Sequence, residues 1–219
     1  MLLETERQSR DGSATLLPLP MTPPERATRR LDLSSPANRE RFERAFYAGF
    51  EHITHNRIVR WLWDWDHDAR RLRTRIPYSD QQIWSLHTAD NDLWAAIAAN
   101  TRLQQLQSAA FGFAVPPDLA EDARAGRVCE FLTIFAVGEK SLPRKLPLCR
   151  EVFSDLRRDG FTHALATTAP KMLPLYRWIE GTVIGERQID GETRLFLIFD
   201  LQRTRRHTLP THSKSQSLP

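Results

Sequence analysis

Apolar residues first recur at three- and four-residue spacing in SSPANRERFERAFYAGFEHI, where Phe42, Ala45, Phe46 and Phe50 share one helical face. Ser34 or Ser35 can cap the free N–H groups at its start, and Pro36 suits the first turn, so the segment predicts an amphipathic helix. RLDL, just before it, predicts a short strand. In NRIVRWLWDWDHDARRLRTRI two periods compete. Ile58, Trp61, Leu62, Trp65 and Leu72 can form a helical stripe, while Trp61, Trp63 and Trp65 alternate as in a strand. QQIWSLHTADNDLWAAIAANTRL holds two apolar runs around Ala89, Asp90, Asn91 and Asp92, whose Asn and Asp side chains bond back to the backbone in turns. It predicts a hairpin, with its alanine-rich half as strand in preference to helix.

Beyond Pro116 and Pro117, CEFLTIFAV is a continuous apolar run of the kind buried on both faces of a sheet, and Glu130 is its single charge. Residues 143–159 put Leu146, Cys149, Val152, Phe153 and Leu156 on one helical face, and Gly160 ends the helix. HALAT predicts a strand, KMLPLYRWIEG a short helix, and TVIGERQI with RLFLIFDL a hairpin turning at Asp190 and Gly191. The order from Cys129 onward is strand, helix, strand, helix, strand, strand, which makes the domain α/β. The flanks read differently. Residues 1–29 carry LPLPMTPP, and residues 202–219 fill with Ser, Thr, Pro and basic side chains. The proline-bearing arm cannot sustain helical hydrogen bonding, and the tail has too little apolar surface to offset the entropy of ordering. They predict a disordered or loosely attached arm and a basic tail around one domain spanning 30–201.

Charge narrows the partners. The formal net charge is +4, and the tail alone supplies four basic residues, Arg203, Arg205, Arg206 and Lys214, with no acid. The remainder is balanced and has no basic stripe, so no nucleic-acid partner is expected. No run of about 18 apolar residues is long enough to span a bilayer, and MLLETERQSR lacks the apolar core of an export signal. The expected compartment is the cytoplasm. Cys129 and Cys149 sit in apolar stretches that suit small buried thiols. His52, His55, Asp64, Asp66, His67 and Asp68 lie close together but match no familiar ligand spacing, so no metal is expected. The alternate tryptophans suit core or interface anchors, or the wall of an acyl groove. No Gly-x-Ser-x-Gly elbow is present.

The element order after Cys129, together with GFTHALATTAPKMLPLYRWIEGTVIGE, resembles the C-terminal half of the GNAT acyltransferase fold over about 75 residues. There a strand ends, a short helix delivers a tyrosine, and a glycine opens the last hairpin. CEFLTIFAV, with its acid and the long helix that follows, is similar to the branch holding long-chain N-acyl amino acid synthases and acyl-homoserine lactone synthases. The resemblance implies a mixed, splayed central sheet flanked by helices, with the strands at Cys129 and His163 running parallel and then separating. It implies transfer of an acyl group from a thioester, carried by acyl-CoA or by the phosphopantetheine of acyl carrier protein, to a small amine or amino-acid acceptor. A GNAT-like binding module that has lost catalysis is the alternative. The glycine-rich pyrophosphate loop of acetyl-CoA users is absent: VGEKSLPRKLPLCREV holds only Gly138, with Lys140, Arg144 and Lys145 as positive side chains for the donor. Tyr176 stands where the family often places its general acid. The backbone amides near Phe135, Ala136 and Val137 are the implied polarisers of the thioester. Glu130 is a second candidate, since a carboxylate in an apolar strand is costly unless used as a base or paired, for instance with Arg102 or Arg127.

Overall fold

Ser35 accepts a hydrogen bond from the Asn38 amide and Pro36 follows it, which starts the first long helix, α1 (Pro36–Phe50). The helix buries Phe42, Ala45 and Phe46, the stripe its spacing sets. Ahead of it lies a two-residue strand, β1 (Arg29–Arg30), which the Leu31 amide extends by donating to the Ile83 carbonyl. The computed structural model describes residues 28–53, 57–138 and 146–203. The arm and tail therefore lie outside the described residues, apart from 28, 29, 202 and 203.

The competing periods of the tryptophan segment occur in succession. A short helix, α2 (Arg57–Leu62), passes directly into β2 (Trp63–Asp66), which pairs antiparallel with β3 (Arg71–Thr74) as a separate two-stranded sheet. The alanine-rich hairpin forms as β4 (Gln81–His87) and β5 (Leu93–Asn100). Next come the short helix α3 (Ala120–Arg124), β6 (Val128–Ala136), α4 (Leu146–Arg158), β7 (His163–Thr168), α5 (Leu173–Trp178), β8 (Thr182–Ile189) and β9 (Glu192–Asp200).

Among the described residues the main sheet has seven strands in the order β1-β4-β5-β6-β7-β9-β8, and only β6 and β7 run parallel. Both faces are covered. α1, α2 and the β2–β3 hairpin bury Phe42, Phe46, Leu72 and Phe135 on one side, while α4 buries Leu148, Val152 and Leu156 against Cys129 and Leu197 on the other. Double cover explains why β6 reads as an unbroken apolar run.

Register makes the site. β6 pairs β7 at residues 128–131 against 163–166, and the pairing then stops although both strands continue. On its other side β6 carries a bulge: Ala98 faces Thr133 and Ala99 faces Phe131, so Leu132 has no partner. An extra residue bends a strand and increases its local twist. The bulge falls one residue after the last β7 pair, and beyond it β6 stays with β5 and leaves β7. The parallel strands thus splay, as expected of the fold.

Candidate active site

The splay leaves a cavity of about 350 Å³. Phe50, Val59 and Trp63 wall it from the α1 side, and Thr133, Phe135 and Ala136 from β6. Thr168 at the end of β7, Tyr176 on α5 and Arg194 on β9 close the far side. The apolar wall is held by aromatic packing: Phe46 stacks on Phe135 at 5.3 Å between centroids, and Phe50 meets Trp63 edge-on at 4.9 Å. The β6 edge facing the gap is unpaired past Phe131. The Val137 amide donates to the Trp94 carbonyl at 2.8 Å and is thereby committed to the β5 side. Of the amides near Phe135, Ala136 and Val137, that one is already engaged within the sheet. Peptide orientation alternates along a strand, so the Ala136 amide is the one of the three turned toward the gap.

Tyr176 lies on the cavity wall with its ring 6.1 Å from that of Phe199. Burial pushes its phenol up to about 12 and Cys149 adds to the rise, while a hydrogen bond with Thr168 and the charge of Arg194 oppose it. The phenol is therefore protonated throughout the neutral range. Gly181 follows the helix because its amide donates to the Tyr176 carbonyl at 2.7 Å, and a Cβ there would come within 2.6 Å of the Phe199 ring.

Glu130 is 1 % exposed, yet it pairs with neither Arg102 nor Arg127. Arg127 binds Asp122, and Arg102 lies nearest Asp80. The Glu130 carboxylate instead accepts the Gln107 amide at 2.8 Å and the Ser108 amide at 2.7 Å, one on each oxygen. Burial outweighs these bonds and raises its pKa. The Gln107 side chain then accepts the Trp63 indole N–H at 2.9 Å and donates to the Leu132 carbonyl at 3.0 Å. Glu130 thus ties the loop after β5 to β6, and Gln107 ties that loop to the tryptophan that walls the cavity.

Arg194 and Thr133 were not singled out by sequence. Each is 7 % exposed and lines the cavity, and neither Nε and Nη2 of the arginine nor the threonine hydroxyl has a hydrogen-bond partner among the described residues. The guanidinium lies 5.6 Å from the centroid of Phe111. Such a contact contributes up to about 2 kcal/mol. Burying a charge costs several kcal/mol. The available signal was a charge abutting the apolar run LFLIF, the same signal that drew attention to Glu130.

The remaining sequence candidates scatter. Lys140, Arg144, Lys145 and His55 lie outside the described residues. Asp64 pairs with Arg73 and Arg75, the His67 ring nitrogen meets the Tyr47 hydroxyl, and Asp66 caps the Ala69 amide. Among the described residues no group of three or more His, Cys, Asp or Glu is placed to hold a metal ion, and no helix is long and apolar enough to cross a membrane. Cys129 and Cys149 are buried thiols, not joined in a disulfide. Trp63 lines the cavity, Trp65 stacks on His67, and Trp61 lines a second cavity of about 530 Å³ that adjoins the first at Leu62 and Gln107.

No family model matches the chain, and no curated protein matches it. Solved structures do. It superposes on the CoA-dependent acyl-homoserine lactone synthase BjaI, solved with SAM and isopentyl-CoA, with a TM-score of 0.60 at 14 % identity, covering 82 % of this chain and 85 % of that one. FeeM, an N-acyl amino acid synthase from uncultured soil microbes, matches with a TM-score of 0.55 at 15 % identity over 84 % of this chain and 97 % of its own. The AHL synthase LasI matches with a TM-score of 0.57 at 10 % identity over 80 % and 88 %. With the parallel β6–β7 pair splayed around a tyrosine-walled cavity, the described residues have the GNAT-like fold that these synthases share.

Proposed function

We propose that the chain is an N-acyltransferase that moves an acyl group from a thioester to an amine. The observation that carries this reading is the unpaired β6 edge lying beside Tyr176 in one cavity. An extended pantetheine arm can pair with such an edge as an added strand, with its amides in register with the free backbone groups of residues 132–136. The apolar wall around Phe50, Trp63 and Phe135 then receives the acyl chain. BjaI and FeeM support the donor and product classes respectively.

In the proposed reaction the neutral amine attacks the thioester carbonyl carbon, forming the C–N bond, and collapse of the tetrahedral adduct breaks the C–S bond. The products are an amide and a free thiol, so one proton passes from nitrogen to sulfur. Tyr176 is the proposed general acid. Its pKa of about 12 lies roughly 3.5 units above that of an ordinary thiol, which makes outright donation uphill by about 5 kcal/mol. A relay avoids this: Tyr176 protonates the departing sulfur while the cationic nitrogen of the adduct replaces the phenolic proton. The Ala136 amide is the proposed polariser of the carbonyl.

Glu130 is proposed as a positioning residue, because both its oxygens already accept backbone amides and neither faces a substrate proton. Lys140, Arg144 and Lys145 remain the proposed contacts for an acidic carrier protein or the phosphates of CoA. Both donors belong to cytoplasmic metabolism, so the cytoplasm is the proposed compartment. Mass spectrometry of purified protein mixed with acyl-CoA or acyl-carrier donors and a panel of amines tests the reading. Amide product is expected; absence of transfer from every donor would leave a binding module with this fold.

A further inference from the structure

The second cavity, of about 530 Å³, has no part in the chemistry above, yet most of its lining is apolar. Half-buried Trp61, Leu103 and Leu106 line it with buried Ile76, and the exposed Gln104 and Gln105 stand at its rim. Apolar side chains facing an open cavity keep a hydration cost that an apolar ligand would remove. Two residues, Leu62 and Gln107, belong to the walls of both cavities. Leu62 is locked in the core cluster of Phe42 and Phe46.

Gln107 is held in two separate ways. Its backbone amide donates to the Glu130 carboxylate at 2.8 Å, a charge-assisted bond that fixes the main chain to β6. Its side chain bridges two other elements, accepting the Trp63 indole N–H at 2.9 Å and donating to the Leu132 carbonyl at 3.0 Å. Trp63 and Leu132 both line the first cavity, and neither lines the second. Both side-chain bonds are between neutral groups and are the weaker kind. The side chain can therefore swing on a backbone that stays in place.

We propose that Gln107 is a latch between the two cavities: it closes the first behind a short acyl chain and swings aside for a longer one, whose far end then lies in the second against Trp61 and Leu103. The proposal rests on the N-acyltransferase reading and names the residue that sets how affinity depends on chain length. One continuous ligand is the occupant because the cavities meet at the latch itself. The second cavity also brings a single charge, Arg75, which already pairs with Asp64. Each buried methylene raises affinity roughly four-fold. Opening the latch breaks two neutral hydrogen bonds and lowers affinity by roughly five- to 150-fold. About one to four further methylenes recover that loss. Affinity is thus expected to rise with chain length, level off, and rise again.

The test is equilibrium binding, which needs no turnover. S-alkyl pantetheine thioethers carry the arm common to both donors and cannot transfer; a series with alkyl chains of about four to sixteen carbons is titrated calorimetrically into the wild-type chain, Gln107→Ala and Ala110→Trp. The wild type is expected to show the level stretch and the second rise, with one thioether bound per chain. In Gln107→Ala the level stretch is expected to vanish, since no latch remains to be broken. Ala110 is exposed and lines the second cavity alone, so Ala110→Trp decides the matter independently of whether Gln107→Ala folds. It is expected to remove the second rise and to bind short chains as the wild type does. In spectra of the 15N-labelled wild type, the Trp63 indole N–H resonance is expected to move upfield with long thioethers and not with short ones, as its bond to Gln107 opens. An uninterrupted rise in the wild type overturns the proposal, and so does a level stretch that never lifts. A second rise that survives in Ala110→Trp, or two thioethers bound per chain, overturns it as well. All four outcomes leave acyl transfer standing. If no thioether binds, the acyl-cavity reading fails, and this proposal with it.

Discussion

Replacing Glu130 by Gln separates a positioning role from a catalytic one. The carboxylate accepts the Gln107 amide on one oxygen and the Ser108 amide on the other. A glutamine keeps one acceptor and turns an NH2 group toward the second N–H, whichever way it flips. One buried backbone donor is then orphaned, at a cost of roughly 1–3 kcal/mol, and the surviving bond loses its charge assistance, about 1 kcal/mol more. Relief from burying an ionised carboxylate offsets part of this, leaving an expected loss of about 1–3 kcal/mol. Burial raises the folded-state pKa of Glu130 above its unfolded value. Its contribution is therefore fully present below the unfolded pKa and is lost as pH rises through the folded one. The destabilisation by Glu130→Gln is expected to be larger at mildly acidic pH than at pH 8. Urea unfolding followed by tryptophan fluorescence measures it, with Trp63 reporting on the Gln107 tether. A general base would behave otherwise: kcat would fall by roughly 100- to 10,000-fold with the unfolding midpoint unchanged. That result would refute the positioning argument.

Tyr176→Phe is expected to lower kcat by roughly 100- to 10,000-fold, with stability changed by no more than about 1.5 kcal/mol. In the wild type, activity is expected to rise with deprotonation of the acceptor amine and to show no loss attributable to the phenol until pH approaches its value of about 12, measured as a pH–rate profile. Gly49→Ala places a Cβ 2.9 Å from Cδ2 of Phe135 and pushes that ring toward the cavity. It is expected to raise KM for long acyl donors more than for short ones, with overpacking costing about 1–3 kcal/mol in thermal unfolding. Reversing the charge of Arg144 and Lys145 is expected to raise the donor KM more at low salt than at high, because screening acts over about 8 to 10 Å near physiological ionic strength. A salt-independent effect would remove both residues from the donor surface.

Local pattern was enough for most of the elements. The Ser35 cap and the spacing of Phe42 and Phe46 define α1, and the β4–β5 and β8–β9 hairpins turn where Asn91 and Gly191 permit the left-handed backbone, with φ of 63° and 80°. The tryptophan segment was undecided because two periods fit one string; in the fold the helix ends at Leu62, Ile58, Leu62 and Trp63 join one core cluster with Phe42 and Phe46, and Trp63 pairs with Thr74. The family resemblance carried by the order of elements also implied the parallel, splayed pair. What it did not contain was the bulge at Leu132, which depends on how β5 and β6 register across a long connection. The partners of Glu130 were equally illegible. A buried charge in an apolar run announces that it needs a partner, but two amides more than twenty residues earlier in the chain were brought to it by the path of a loop. Arg194 carried the same announcement near the start of its strand, and only the fold shows that its Nε and Nη2 find no partner among the described residues. Periodicity reports which face of an element is buried, because burial acts residue by residue. Who meets whom across the cavity is set by closure of the tertiary structure, where groups distant in sequence satisfy, or leave open, one another's hydrogen bonds.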